Sequence, residues 1–230
     1  MSDGSGAMNE TNETNDMVAR VLEALRDHGL LPLTDTRLPS LTTIVAGEPV
    51  RGSWLAHPRS HIIYEVATRL EAHPDVVDAR LVSGKVTYIH QRLWPALLGV
   101  ATARDPWQTR DLPPPAAALL EVVAREGVAR TDDLHEYGWT STKALGAAAR
   151  ELERRLLVRG QSIHTERGSH AQHLETWECW AERINFAARP LTAIDGRAAL
   201  AAALAALNRA APDGSGRLPW VERRRASRRT

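Results

Sequence analysis

The stretch Ser141–Trp177, STKALGAAARELERRLLVRGQSIHTERGSHAQHLETW, decides the fold. Leu145, Ala149, Leu152 and Leu156 fall at offsets 0, 4, 7 and 11, the apolar stripe of an α-helix, with Ser141 placed to cap its start. From Val158 the pattern changes to two strand-like runs around a turn at Glu166–Ser169, a β-hairpin. Upstream, AAALLEVVAREG (116–127) has helical spacing, and TDDLHEYG (131–138) reads as a short helix capped by Thr131. Three helices, the last two tightly connected, followed by a hairpin, are the element order of a winged helix. The sequence therefore predicts a winged-helix domain over residues 111–186.

The same helix carries a second stripe. Lys143, Ala147, Arg150 and Arg154 repeat the core spacing in a different phase, giving a cationic face with a small residue in its middle. A small residue lets a helix approach a groove closely, while Lys and Arg reach phosphates or guanine edges. At the hairpin tip, Arg167, Ser169 and His170 fall where a wing meets a phosphate backbone or minor groove. Ser141, Lys143, Ala147, Arg150, Arg154, Arg167, Ser169 and His170 are thus the candidate nucleic-acid-binding residues. The competing reading is a solvated face, since Glu151 and Glu153 lie close by.

His164, His170 and His173 suggest a metal at first sight. Strand alternation sends His170 and His173 to opposite faces, so the three do not converge on one ion without a bulge. The one cysteine, Cys179, excludes an intramolecular disulfide framework and a multi-cysteine zinc site. No metal, cofactor or catalytic residue is assigned. VSGKVT (82–87) lacks the first glycine and the hydroxyl residue of a phosphate loop, and HPRSH (57–61) has a proline between its histidines. The seven tryptophans fit core anchors better than base-stacking platforms.

Before residue 111 the pattern is helix, helix, helix, hairpin, helix. MVARVLEALRDHGLL (17–31) is amphipathic and ends near Gly29; a short helix follows Ser40 and stops at Gly47; Ser60 opens RSHIIYEVATRLEAH (59–73). The hairpin runs from Ala79 to His90 around Ser83-Gly84, and Pro95 is tolerable only in the first turn of the next helix. RDPWQTRDLPPP (104–115) reads as a boundary. The expected organisation is a disordered leader (1–16), an N-terminal helical module with a hairpin (17–110), itself a candidate diverged winged helix, the winged-helix domain (111–186), a C-terminal helix (187–212) and a basic disordered tail (213–230). The fold class is mainly α with β-hairpins (α+β), with two tandem winged-helix-like modules.

Net charge is +1, yet unevenly spread: four acids lie in residues 1–16, and six arginines against one glutamate in 217–230. Polyanion binding must therefore come from local patches and the tail rather than a whole-molecule field. With 27 arginines against two lysines and much alanine, the composition has a high-GC bacterial bias, so arginine count alone argues nothing. Neither a membrane-length apolar run nor a signal-peptide core is present, and a cytoplasmic location is the expectation, nucleoid-associated if DNA is bound.

GEPVRGSW (47–54), GKVTYIHQRLWPALL (84–98) and ARELERRLLVRGQSIHTERGSHAQHLETWECWA (149–181) resemble segments of small bacterial winged-helix proteins related to the alkylpurine DNA glycosylases of the AlkZ and YcaQ type. The resemblance spans residues 38–182 and implies tandem winged helices and a role near DNA, with DNA repair as the setting. Those glycosylases use Gln-x-Asp or Gln-x-Gln, and none of Gln91, Gln108, Gln161 and Gln172 begins such a motif, so the activity does not carry over. Double-stranded DNA is the expected partner. The alternatives are a glycosylase-like enzyme using a different acid, such as Glu65 or Glu175, and a protein-docking module.

Overall fold

The computed structural model describes residues 4–133, 141–164 and 170–221. The protein is α+β, with two three-stranded antiparallel sheets. The first half runs α1 (Gly4–His28), β1 (Leu30–Pro32), α2 (Leu41–Ala46), α3 (Ser60–Glu71), β2 (Val76–Arg80) and β3 (Val86–His90). Its sheet order is β1-β3-β2. After α4 (Trp94–Ala101) and the single turn α5 (Pro106–Thr109), the second half runs α6 (Pro114–Glu126), β4 (Val128–Arg130), α7 (Thr142–Arg154), β5 (Arg159–His164) and β6 (His170–Glu175). Its sheet order is β4-β6-β5, the same first-third-second arrangement. α8 (Trp177–Arg183) and α9 (Ala193–Arg209) complete the described elements.

Local chemistry explains most boundaries. The Ser40 hydroxyl accepts from Thr43 N at the start of α2, and Gly47 takes the left-handed conformation that closes it. Pro95 sits in the first turn of α4, and Pro114 and Pro115 open α6, positions where a missing N–H costs nothing. The PPP stretch expected to be pure boundary therefore starts a helix. The β2–β3 connection turns at Ser83 and Gly84, both at positive φ. The expected hairpin starts three residues early, at Val76.

Both termini differ from expectation. The leader expected to be disordered is helical from Gly4, continuous with the rest of α1. Thr14 is buried, the Arg69 guanidinium donates to the Asn15 side chain at 2.5 Å, and Glu13 pairs with Arg59, so polar contacts with α3 replace the missing apolar ones. The expected tail is ordered well past residue 213: Leu218 is buried, Ser83 N donates to the Arg217 carbonyl at 2.7 Å, and Asn208 brackets the Gly216 backbone. This C-terminal strap, residues 214–221, lies across the β2–β3 turn. The Arg-rich residues 222–230, the expected helix within 131–138 beyond Asp133, and the hairpin tip 165–169 lie outside the described residues.

Three apolar clusters hold the fold. One joins α1, α2, α3 and the first sheet; another joins α6, α7 and the second sheet. The third lies between the halves and gathers Leu38, Val82, Trp94, Leu97, Trp177, Trp180, Leu204 and Leu218 from both, with α9 as its lid. α4 and α9 approach closely through glycines: a Cβ on Gly196 would meet the Ala96 carbonyl oxygen at 2.6 Å, and one on Gly99 would overlap the Leu191 carbonyl. Helix propensity alone would favour alanine at Gly99 by about 1 kcal/mol. Overlap with a backbone oxygen outweighs it, because neither helix can yield without disturbing the shared core. Gly99→Ala should lose about 1–3 kcal/mol in urea denaturation; an unchanged or raised midpoint would show that the two helices separate freely.

Candidate nucleic-acid interface

Ser141 caps α7, its hydroxyl accepting from Ala144 N at 3.3 Å. Leu145, Ala148, Ala149 and Leu152 face the core, and Leu156, just beyond the helix, enters the cluster between the halves. That division leaves Ser141, Lys143, Ala147, Arg150 and Arg154 exposed along one side. The cationic stripe is therefore formed as its spacing suggested. Lys143 and Arg150 enter no salt bridge among the described residues.

Arg154 differs from its neighbours. It pairs with Glu151 at 2.5 Å, and its stem lies beneath the β2–β3 turn, where a Cβ on Gly84 would stand 3.5 Å from its Cδ. Burial alone would raise the Glu151 carboxyl, but Arg154 and Arg155 hold it below the ordinary glutamate range. Arg154 thus sits at the junction of the two halves. Arg167 and Ser169 lie outside the described residues, and His170 is placed only by its backbone, opposite His164 in the β5–β6 pairing. His173 pairs with Gln161 on one side and Arg130 on the other. Among the described residues no group of three His, Cys, Asp or Glu could hold a metal ion.

The junction itself holds the residues that sequence reasoning missed. Arg159, 6% exposed, donates to Asp78 of β2 and to Glu175 of β6, each at 2.9 Å. Glu175 also receives Arg183 at 2.7 Å, and Arg80 of β2 pairs with Glu153 of α7 at 2.9 Å. Asp78, Arg80, Glu153 and Arg159 line a cavity of about 120 Å³ together with Trp177. Arg159 Nε and Trp177 Nε1 are buried without a hydrogen-bond partner among the described residues. Both candidate acids are engaged in ion pairs: Glu175 lies between two guanidiniums, and Glu65 pairs with Arg69 at 2.5 Å. Trp94, Trp177 and Trp180 pack edge to face at the same junction, with centroids 5.1 and 5.7 Å apart, as core anchors. Lys85 is held by Asp35 at 2.7 Å, and His57 Nδ1 accepts Arg59 N within its own turn. Arginine is too common in this chain for Arg159 to stand out, and nothing in its spacing signals the pairing with Asp78.

No family model, curated protein or solved structure matches the chain. Among the described residues no helix is long and apolar enough to cross a membrane.

Two measurements check the junction. Arg159→Ala leaves Asp78 without its cation and Glu175 with one fewer, and should lose about 3–5 kcal/mol in denaturant unfolding; a loss under about 1 kcal/mol would remove the pairing from the structural account. Burial pushes the Glu153 carboxyl above the ordinary glutamate range, against the pull of Arg80. A carboxyl raised by folding lends stability that is fully present below its unfolded pKa and lost as pH rises through the folded one. Wild type should therefore gain on Glu153→Gln as the pH is lowered from 7 to 5, read by parallel urea melts.

Proposed function

We propose that the protein binds double-stranded DNA, with its two halves as tandem winged-helix modules and α7 as the groove-entering helix. The carrying observation is the exposed side of α7, where Lys143 and Arg150 flank Ala147 on the helix that leads into the second half's hairpin. Support for the module reading comes from the matched sheet orders, β1-β3-β2 and β4-β6-β5, each made of a strand that follows the half's first helix and a hairpin that follows its last one before the sheet closes. Lys143 and Arg150 are separated by about 10 Å of helix rise, which suits a major groove about 12 Å wide. Arg167, Ser169 and His170 remain the proposed wing contacts.

The corresponding helix of the first half points to a different use. The exposed side of α3 carries His61, Tyr64, Glu65 and Thr68, with Arg69 turned into pairing with Glu65 and Asn15. This face has no free cationic stripe, so the second module makes the groove contact in this reading. Tyr64 and the neighbouring Leu55, 56% and 67% exposed, support a protein partner as the second reading. The resemblance to glycosylase-related proteins makes DNA repair the proposed setting, and release of free base from damaged duplex is the assay for the enzymatic alternative.

Fluorescence anisotropy with a labelled random duplex tests the main reading. Lys143→Ala with Arg150→Ala should weaken binding by about tenfold or more while leaving the melting transition in place, because both side chains are exposed. Unchanged affinity in the folded double variant would move the contact away from α7.

A further inference from the structure

The cationic stripe of α7 does not end at the helix terminus. Arg154, its last member, lines two adjoining open hollows of about 520 and 540 Å³ that meet at Arg154 and Pro219. One lies between the Ser83-Gly84 turn and the strap and contains Arg217; the other lies against α5 and contains Arg110. Arg110 and Arg217 are both exposed, and neither enters a salt bridge among the described residues. The acids nearby are Asp111, which lines the second hollow, and Glu151, already committed to Arg154 and Arg155.

The backbone beneath these two cations is fixed. Arg155 donates to the carbonyls of Arg110 at 2.6 Å and Gln108 at 3.2 Å, tying the α5 end to α7. Arg217 exchanges bonds with Ser83, donating its N–H to the hydroxyl at 3.3 Å and accepting from Ser83 N at 2.7 Å. Trp107 and Trp220, with ring centroids 5.6 Å apart, join the strap to α5. Two long cationic side chains thus stand on anchored backbone, on either side of the terminus of the cationic helix.

We propose that these hollows are a second phosphate-contact site for duplex DNA, with Arg110 and Arg217 as the contacting residues. The proposal rests on the DNA-binding reading and extends it from α7 onto the strap. A row of separated cations suits a ligand with repeating charge, and duplex DNA presents one negative charge per about 1.7 Å of axis. The hollows are open to solvent, which fits a backbone passing over them rather than an enclosed small anion. Val221 lines the first hollow, and residues 222–230, which follow it directly, carry five arginines against one glutamate. The cationic track therefore continues in sequence where the strap ends.

The test uses the full chain and a labelled random duplex between 50 and 200 mM salt. Arg110→Ala with Arg217→Ala should reduce the slope of log K against log salt by about 1.8, the value for two phosphate contacts. Arg110→Lys with Arg217→Lys should restore it, since charge rather than shape makes the contact. A wild-type chain that binds, is weakened by Lys143→Ala with Arg150→Ala, and keeps its slope in the strap variant would overturn this site and leave the α7 reading standing. A wild-type chain that fails to bind duplex at 50 mM salt would overturn both.

Discussion

The guanidinium of Arg159, almost wholly removed from water, holds Asp78 across the junction and Glu175 within its own sheet. Burying such ions is costly, and their mutual attraction roughly offsets that cost only when the geometry is good. The pairing therefore adds little to net stability compared with an apolar junction. Its effect is on arrangement, because a slipped or rotated second half would leave Asp78 without its cation and the buried Arg159 with one carboxylate in place of two. Arg80 and Glu153 repeat the constraint one step along β2. With those two links in place, α7 can meet the β2–β3 turn in one way, and the position of Arg154 under Gly84 follows.

Around that polar junction the apolar material is continuous. Trp94, Trp177 and Trp180 contribute large surfaces from both halves, and α9 closes over them through the close glycine contacts with α4. The two halves share a sheet order but expose different faces at the helices that precede their hairpins, α3 and α7. α7 presents Lys143 and Arg150, which enter no salt bridge among the described residues, whereas α3 presents Tyr64 and Glu65 beside the polar flank of α1. Similar scaffolds carrying dissimilar surfaces underlie the proposal that α7 makes the groove contact and α3 does not.

Long periodic segments made the helices legible. The stripes of α3, α6 and α7, the cap at Ser40 and the glycine stop at Gly47 all have strong local signatures, and the cationic phase of α7 was readable from four residues. β1 and β4 were not, because three residues are too few to show alternation, and both obtain their hydrogen bonds from distant strands. The amino terminus misled because its contacts are polar: Glu13, Thr14 and Asn15 reach Arg59, Glu65 and Arg69 on α3, and composition carries no trace of such pairing. The strap misled for a related reason. Its anchors are Leu218, Trp220 against Trp107, and backbone bonds to a turn more than 130 residues away, contacts that no local pattern encodes. Arg159 escaped notice among 27 arginines for want of any distinguishing context, and Arg217 was legible only as part of the basic tail.

The strap also sets an order of events during synthesis. Domains emerging from the ribosome fold from the amino-terminal side, so the first sheet and α4 form while the surface of Leu38 and Val82 that Gly216 will cover still faces water. Only when α9 and residues 214–221 have emerged can that surface close, with Leu218 entering its cluster and Arg217 bonding to Ser83. A nascent chain halted near residue 211 would carry two formed sheets and an uncovered apolar seam between them. Such an intermediate leaves in water apolar surface that the finished chain buries, the kind of surface through which incomplete chains associate.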